Sequence, residues 1–342
     1  MTDLGRSPAD IPSGSSLKPG ETVLEVRDLS ILLHGVPAVE GVELVLRAGE
    51  ALALVGESGC GKSLTSLAVM GLLPLAASLG ETTSIKLCGA EISRLDEDRY
   101  NSLRGRVMSM IFQEPFTSLN PLMTVGAQIA ETLTVHGVPA EEAKQRALAM
   151  LEKVGIPDPA VRFGQFPFEL SGGLCQRVMI ALAQVSDPAL LIADEPTTAL
   201  DVTIQAQILD LMRELMRERN TALLLITHDM GVVAEVADRV AVMYAGRIVE
   251  VADAETLFRC SRHPYTRLLM GSIPGLTAEP KTELNTIAGT VPDIREWGGG
   301  CRFHPRCPLA TERCAAETPP LAAQESEQHR AACWHSDQTE KI

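Results

Sequence analysis

The sequence contains no run of 18 apolar residues free of charge. Its most apolar stretch, TALLLITHDMGVVAEVA, is broken by His228, Asp229 and Glu235. No spanning helix is therefore expected, and membrane contact must come only through partners. Positive charge is also scarce: 30 Lys and Arg face 44 Asp and Glu, a net charge of −14. That disfavours a protein that grips nucleic acid through a global basic field, and no nucleic acid partner is expected. A nucleotide needs only a small local site and is not excluded. The N-terminus, MTDLGRSPADIPSGSSLKPGE, lacks the basic region and apolar core of a secretion signal. It predicts a flexible lead-in over residues 1–20 and a cytosolic chain. No internal repeat is visible, so one nucleotide core is expected. The eight cysteines contain no tight C-x₂₋₄-C pair of the kind structural zinc prefers.

What is present is a chain of 342 residues, long enough for two domains or for one with an extension. From Glu21 short apolar runs, TVLEVRDLSILL and VELVLRAGEALALVG, read as strands, the last ending in a glycine-rich turn. SLTSLAVMGLL follows at helical spacing. Residues 116–184 are mostly helical in pattern. PAEEAKQRALAMLEKVG has Pro139 near its start and Gly155 just past its end, as helix termini prefer. ALLIAD and TALLLITH read as buried strands with the amphipathic TIQAQILDLMRELMRE between them, which suggests a parallel sheet covered on both faces. RVAVMYAGRIVEVA reads as a hairpin turning at Ala245–Gly246. Past Gly271 the pattern weakens into a linker, 271–300, before a cysteine-rich segment, 301–342.

GESGCGKS, Gly56 to Ser63, matches G-x-x-x-x-G-K-[ST] between a strand and a helix, which is the context that motif requires. Its glycines let backbone N–H groups curl around phosphates, and the helix start adds its positive end. Lys62 offers a point charge to the phosphates and Ser63 a hydroxyl to Mg²⁺. In LLIADEP, Asp194 emerges from an apolar strand to hold Mg²⁺, and Glu195 is placed to orient or deprotonate an attacking water. A strand ending in Asp-Glu is a weak signal alone and a strong one beside the phosphate loop.

LSGGLCQRV places Ser171, Gly172 and Gly173 at a second helix start suited to an anion. One nucleotide does not need two such cradles from one protomer, so the second is expected to serve a nucleotide held by another. With these motifs the chain resembles the ATP-binding subunits of ABC transporters over about residues 21–260. LSGG resembles their signature, Gln113 in IFQEP the Q-loop glutamine, TALD (198–201) the D-loop, and His228 in LLITHD the switch histidine. FQEPFTSLNP, IADEPTTALDVTIQAQIL, MYAGRIVE, HPYT (263–266) and a tail beginning CRFHPRCP resemble the oligopeptide/dipeptide importer branch, which also includes nickel, sugar and opine importers.

The resemblance implies a P-loop NTPase core of ABC ATPase type over 21–270, an α/β fold of parallel sheet plus antiparallel β subdomain with a helical subdomain at about 116–184. It implies ATP contacts by Gly56, Glu57, Ser58, Gly59, Cys60, Gly61, Lys62, Ser63 and Leu64, with Gln113 and Asp194, and with the signature of a facing protomer. Mg²⁺ is expected on Ser63, Gln113 and Asp194, and catalysis from Glu195, His228, Gln113 and Lys62. Partners would be a second ATPase subunit in a heterodimer, two membrane-spanning permease subunits and an extracytoplasmic solute-binding protein. The chain would sit peripherally on the cytoplasmic face of the inner membrane and power peptide import. Two rival readings are an ABC ATPase acting on nucleic acid or the ribosome, and a metal- or redox-sensing regulator. The sequence departs from the family where adenine stacking is expected: DLSILLHG offers Leu33 or His34, not an aromatic residue.

Cys301, Cys307, Cys314 and Cys333 are spaced C-x₅-C-x₆-C-x₁₈-C. Four thiolates suit an iron–sulfur cluster or Zn²⁺. The wide gaps and the family resemblance favour [4Fe–4S], with Zn²⁺ or no metal as the alternatives; His304, His329 and His335 could substitute as ligands but are not the expected ones. So little apolar sequence surrounds them that a metal centre is expected to serve as this segment's core.

Overall fold

The computed structural model describes residues 11–198, 201–272 and 287–342. Two long antiparallel strands come first, β1 (Thr22–Leu33) and β2 (Val36–Arg47). Val23, Leu24, Val26, Leu29 and Ile31 of β1 are buried. All five residues of β3 (Ala51–Val55) are buried, and its end turns into α1 (Lys62–Met70). Short strands β4 (Ala77–Leu79), β5 (Ser84–Leu87) and β6 (Ala90–Glu91) complete an antiparallel sheet with β1 and β2. Helix α2 (Glu97–Leu103), capped by the Asp96 side chain, leads into β7 (Met108–Ile111).

A helical region follows: α3 (Pro115–Ser118), α4 (Val125–Thr134), α5 (Ala140–Lys153), α6 (Pro159–Arg162) and α7 (Gly172–Gln184). The chain then alternates through β8 (Leu190–Asp194), α8 (Val202–Arg219), β9 (Ala222–Thr227), α9 (Met230–Val236) and β10 (Arg239–Tyr244). Ala245 and Gly246 turn it, both at positive φ, into β11 (Arg247–Asp253), followed by α10 (Ala254–Cys260) and α11 (Pro264–Gly271).

In the main sheet β10, β3, β9, β8 and β7 run parallel in that order. The C-terminal ends of β3, β9, β8 and β7 all open at one edge, where ligands of open α/β sheets bind. Gly56, His228, Glu195 and Gln113 follow those ends. No helix among the described residues is long and apolar enough to cross a membrane.

Two segments differ from expectation. Within the lead-in, Ile11 and Leu17 are buried in the core, and the Gly14 amide donates to the Asp187 carbonyl at 2.9 Å. The tail also shares the main body's core. It contains α12 (Glu312–Ala316), β12 (Ala322–Ala323) and β13 (Arg330–Ala331), and β13 pairs with β11 to extend the main sheet. Phe303, 1% exposed, packs on Tyr244 and Tyr265 with ring centroids 5.1 and 5.4 Å away. The segment thus shares an aromatic core with the main body, through Phe303, Tyr244 and Tyr265. Glu250, fully buried in β11, accepts from the His263 amide at 2.9 Å and from His329 Nε2 at 2.8 Å.

Candidate nucleotide-binding site

The loop between β3 and α1 owes its shape to glycines that no other residue can replace. A Cβ on Gly56 would lie 2.2 Å from the Met243 carbonyl oxygen, and Gly61 caps α1 at φ 108°. Cys60 is fully buried and fills the loop's inner side. Lys62 is 6% exposed and donates to the Gly56 and Glu57 carbonyls at 2.7 and 3.1 Å. Its ammonium thus lies within the curl of the loop, where a phosphate-binding cation is needed.

Across from it stands a knot of side chains around Glu195. Its Oε1 pairs with His228 Nδ1 at 3.0 Å. Its Oε2 accepts from Gln113 Nε2 at 3.1 Å and from the Thr198 hydroxyl at 3.0 Å. Glu195 has φ 48°, an uncommon conformation for a residue with a side chain. Its amide is fixed to the Ile226 carbonyl at 2.8 Å, so the strain is held by the sheet. Asp194 precedes it, held above the usual carboxylate range by burial, with a hydrogen bond from Ser63 pulling the other way. Ser63 and Asp194 are therefore a hydroxyl and a carboxylate side by side, a donor set of hard oxygens that fits Mg²⁺. Among the predicted residues, Ser58, Gly59, Gly61, Lys62, Ser63, Leu64, Gln113 and Glu195 line one open cleft of about 750 Å³ with His228, Thr198 and Leu33. His34 does not line it. In TALD, Ala199 and Leu200 lie outside the described residues.

Sequence reasoning missed several side chains here. The side chain of Glu57 is bound bidentately by Arg306 of the tail at 2.6 and 3.0 Å. The Glu57 amide donates to the Tyr265 hydroxyl at 2.9 Å. Val291, Pro292, Ile294 and Trp297 of the expected linker form part of the cleft wall. Thr198 lies in TALD and Arg306 in CRFHPRCP, but neither motif reading gave these side chains their role, and no local motif marks Trp297; each acts through residues distant in sequence or hidden in a loop.

Comparison with known proteins agrees with this geometry. Residues 39–198 match the ABC transporter family, and residues 249–314 match the oligopeptide/dipeptide transporter C-terminal region. The oligopeptide transport ATP-binding protein AppD of Bacillus subtilis is 49% identical over 310 residues, covering 89% of this chain and 94% of AppD. The chain belongs to the ABC transporter ATP-binding family. The dipeptide transport ATP-binding protein DppD of Escherichia coli is 48% identical, covering 83% of this chain and 86% of DppD. A dimeric post-hydrolysis state of the ATP-binding cassette MJ0796 bound to ADP and Pi superposes with a TM-score of 0.60 at 25% identity, over 68% of this chain and 98% of that one.

As an ABC ATPase, the chain must present its signature elsewhere. Ser171 caps α7, accepting from the Leu174 amide at 3.4 Å, and with Gly172 and Gly173 lies outside the cleft lining. Cys175 is buried, its thiol donating to the Pro167 carbonyl at 3.3 Å, and burial pushes that thiol up to about 11.

The tail cysteines require a correction. Cys301, Cys307, Cys314 and Cys333 do line one cavity, but it holds only about 10 Å³, room for about one water. Among the described residues no group of three or more His, Cys, Asp or Glu is placed to hold a metal ion. Burial pushes the Cys307 thiol up to about 11 and Cys333 up to about 12. One ring nitrogen of each nearby histidine is hydrogen-bonded: His304 Nδ1 to the Cys301 carbonyl at 2.8 Å, His335 Nε2 with the Thr311 hydroxyl at 3.1 Å, and His329 Nε2 to Glu250 at 2.8 Å. The residues as placed do not fit the expected [4Fe–4S] cluster or Zn²⁺.

Proposed function

We propose that the chain is the ATP-hydrolysing subunit of an importer of di- and oligopeptides. Three observations support the reading: the assembled Glu195 knot beside the phosphate loop, the transporter C-terminal region, and the names borne by AppD and DppD. The knot carries it, because it has the polar partners that hydrolysis needs around one fixed carboxylate.

ATP would lie with its phosphates in the curl from Gly56 to Ser63. Lys62 Nζ holds the terminal phosphate, and the α1 start adds its dipole. Glu195 orients the attacking water and takes its proton, while Gln113 and His228 fix the carboxylate's aim. His228 is the exposed member and can reach the γ-phosphate. Ser63, Asp194 and Gln113 would hold Mg²⁺, which when bound offsets phosphate charge.

The exposed Ser171–Gly173 helix start would complete the site of a facing ATPase subunit, so two subunits meet head to tail with ATP between them. ATP closes the pair and hydrolysis releases it. The helical region, with Phe116, Leu122 and Phe168 exposed, would carry this movement to two permease subunits served by a solute-binding protein. The chain would then lie on the cytoplasmic face of the inner membrane.

The test is Mg²⁺-dependent ATP hydrolysis by the purified protein with its partner subunit. Glu195→Gln should lower kcat by about 10²–10⁴-fold and keep ATP affinity. Full turnover in that variant would refute the role assigned to Glu195.

A further inference from the structure

The cleft is divided by the phosphate loop. In the sheet order β10, β3, β9, β8, β7, the hydrolytic groups Gln113, Glu195 and His228 follow strands on one side of β3. A nucleotide whose terminal phosphate faces them must extend its ribose and base to the other side, past β10. There the wall is mostly apolar, with Leu33 and Ala38 from the first two strands and Val291, Ile294 and Trp297 from the tail; its one carboxylate, Asp293, is paired with Arg295 at 2.8 Å. Trp297 stands at the β10–β11 turn, where a Cβ on Gly246 would lie 2.8 Å from its ring and 2.5 Å from the Ala38 carbonyl.

Trp297 is rigidly held. Its Nε1 donates to the Pro292 carbonyl at 3.0 Å. The Arg302 guanidinium lies 4.4 Å from its ring centroid. Arg302 is itself fixed, donating to the Ala245 carbonyl at 2.6 Å and pairing with Glu40. With its N–H satisfied internally, the indole offers the cleft hydrocarbon and π surface, not a hydrogen-bond donor. A fixed aromatic with adjoining aliphatic side chains suits a purine, whose desolvation and stacking carry affinity. The β1–β2 turn, from Leu33 to Ala38, offers no aromatic residue of its own.

We propose that tail residues 291–297 form the purine-binding wall of the ATP site, with Trp297 as its stacking platform. This rests on the reading that the phosphates occupy the loop from Gly56 to Ser63. Trp297 is a binding residue, and adenine binding here depends on the tail.

The chain has two tryptophans, which permits a direct test. Trp334 lies apart in the tail, stacked on Arg313 at 3.6 Å with Nε1 bonded to the Glu317 carbonyl at 3.2 Å. In full-length Trp334→Phe protein the remaining emission reports Trp297. ATP and ADP should quench it, and inorganic tripolyphosphate should not. Trp297→Ala should weaken ATP about tenfold while tripolyphosphate affinity stays within about twofold, and Trp297→Phe should retain most ATP affinity. Unchanged ATP affinity in Trp297→Ala overturns the proposal. So does an equal loss of tripolyphosphate binding, which would assign the indole to loop support. If the unsubstituted protein binds neither ATP nor tripolyphosphate, the phosphate-loop reading fails first, and this proposal falls with it.

Discussion

The Glu195 carboxylate has no freedom to choose a partner. Both its oxygens are engaged, by His228 on one side and by Gln113 and Thr198 on the other. Gln113 and Thr198 share Oε2, so losing one hydroxyl loosens the aim without removing the charge. Thr198→Val should therefore lower kcat about three- to tenfold with ATP affinity unchanged, and Thr198→Ser should restore it. Steady-state kinetics decides: a rise in KM with kcat intact would make Thr198 a binding residue instead. At this scale the strand-end residues Gln113, Glu195 and His228 were legible, because each ends a recognisable apolar run. Thr198 was read only as the start of TALD, because a second hydroxyl in EPTT carries no signal of its own that would aim it at Glu195.

Helix α11 shows what an element hides. HPYT reads as a motif, yet its physical role is a helix start: His263 is the N-cap, its Nδ1 accepting from the Tyr265 amide at 3.1 Å, with Pro264 in the first turn. His263 is 1% exposed. Burial holds it down to about 4, while the nearby Glu250 charge pulls it partly back. Its folded-state pKa lies below the unfolded value, so the unfolded chain takes up the proton first. The stability present above about pH 6.5 is lost progressively as pH falls toward 4. Between pH 7.5 and 5 this site should cost on the order of 2 kcal/mol. His263→Asn, which keeps a capping oxygen, should lack that increment in denaturant unfolding at the two pH values. An identical pH loss in both proteins would show that His263 is not the titrating group. The tail elements were illegible for a related reason. β12 and β13 have two residues each, too few for any period, and Phe303 is a lone aromatic between the polar Arg302 and His304. Its partners Tyr244 and Tyr265 lie on the other side of the linker in sequence.

At the scale of the whole molecule, the tail holds the phosphate loop. Arg306 is 6% exposed at its side chain and grips Glu57 bidentately, 249 positions away in sequence. Its remaining N–H groups donate to the Ala288 carbonyl at 2.8 Å, to the Tyr244 hydroxyl at 3.3 Å and, shared, to the Gly289 and Ile287 carbonyls at 3.2 and 3.3 Å. One planar fork thus ties three things together: the loop that shapes the phosphate site, the residues entering the cleft wall, and the cysteine-rich segment. Glu57 is about one-quarter exposed, so the pair is shielded but not dry, and the pair's worth lies in its geometry more than its charge. Arg306→Ala leaves the Glu57 carboxylate unpaired and three carbonyls without their donor. It should cost about 2–5 kcal/mol in unfolding free energy and raise KM for ATP. Arg306→Lys keeps the charge and loses the fork, so it should fall between. The same shared core predicts how the unsubstituted protein melts. Tryptophan emission, from Trp297 and Trp334 of the C-terminal part, and far-ultraviolet circular dichroism, reporting the sheet and helices, should follow one transition, because Phe303, Tyr244 and Tyr265 must separate together. In Arg306→Ala the emission should shift at lower temperature than the dichroism, as the tail is freed before the body. A tail transition already separate in the unsubstituted protein would mean that the aromatic cluster does not couple the two. Arg306 would then be an ornament of the loop and not its anchor.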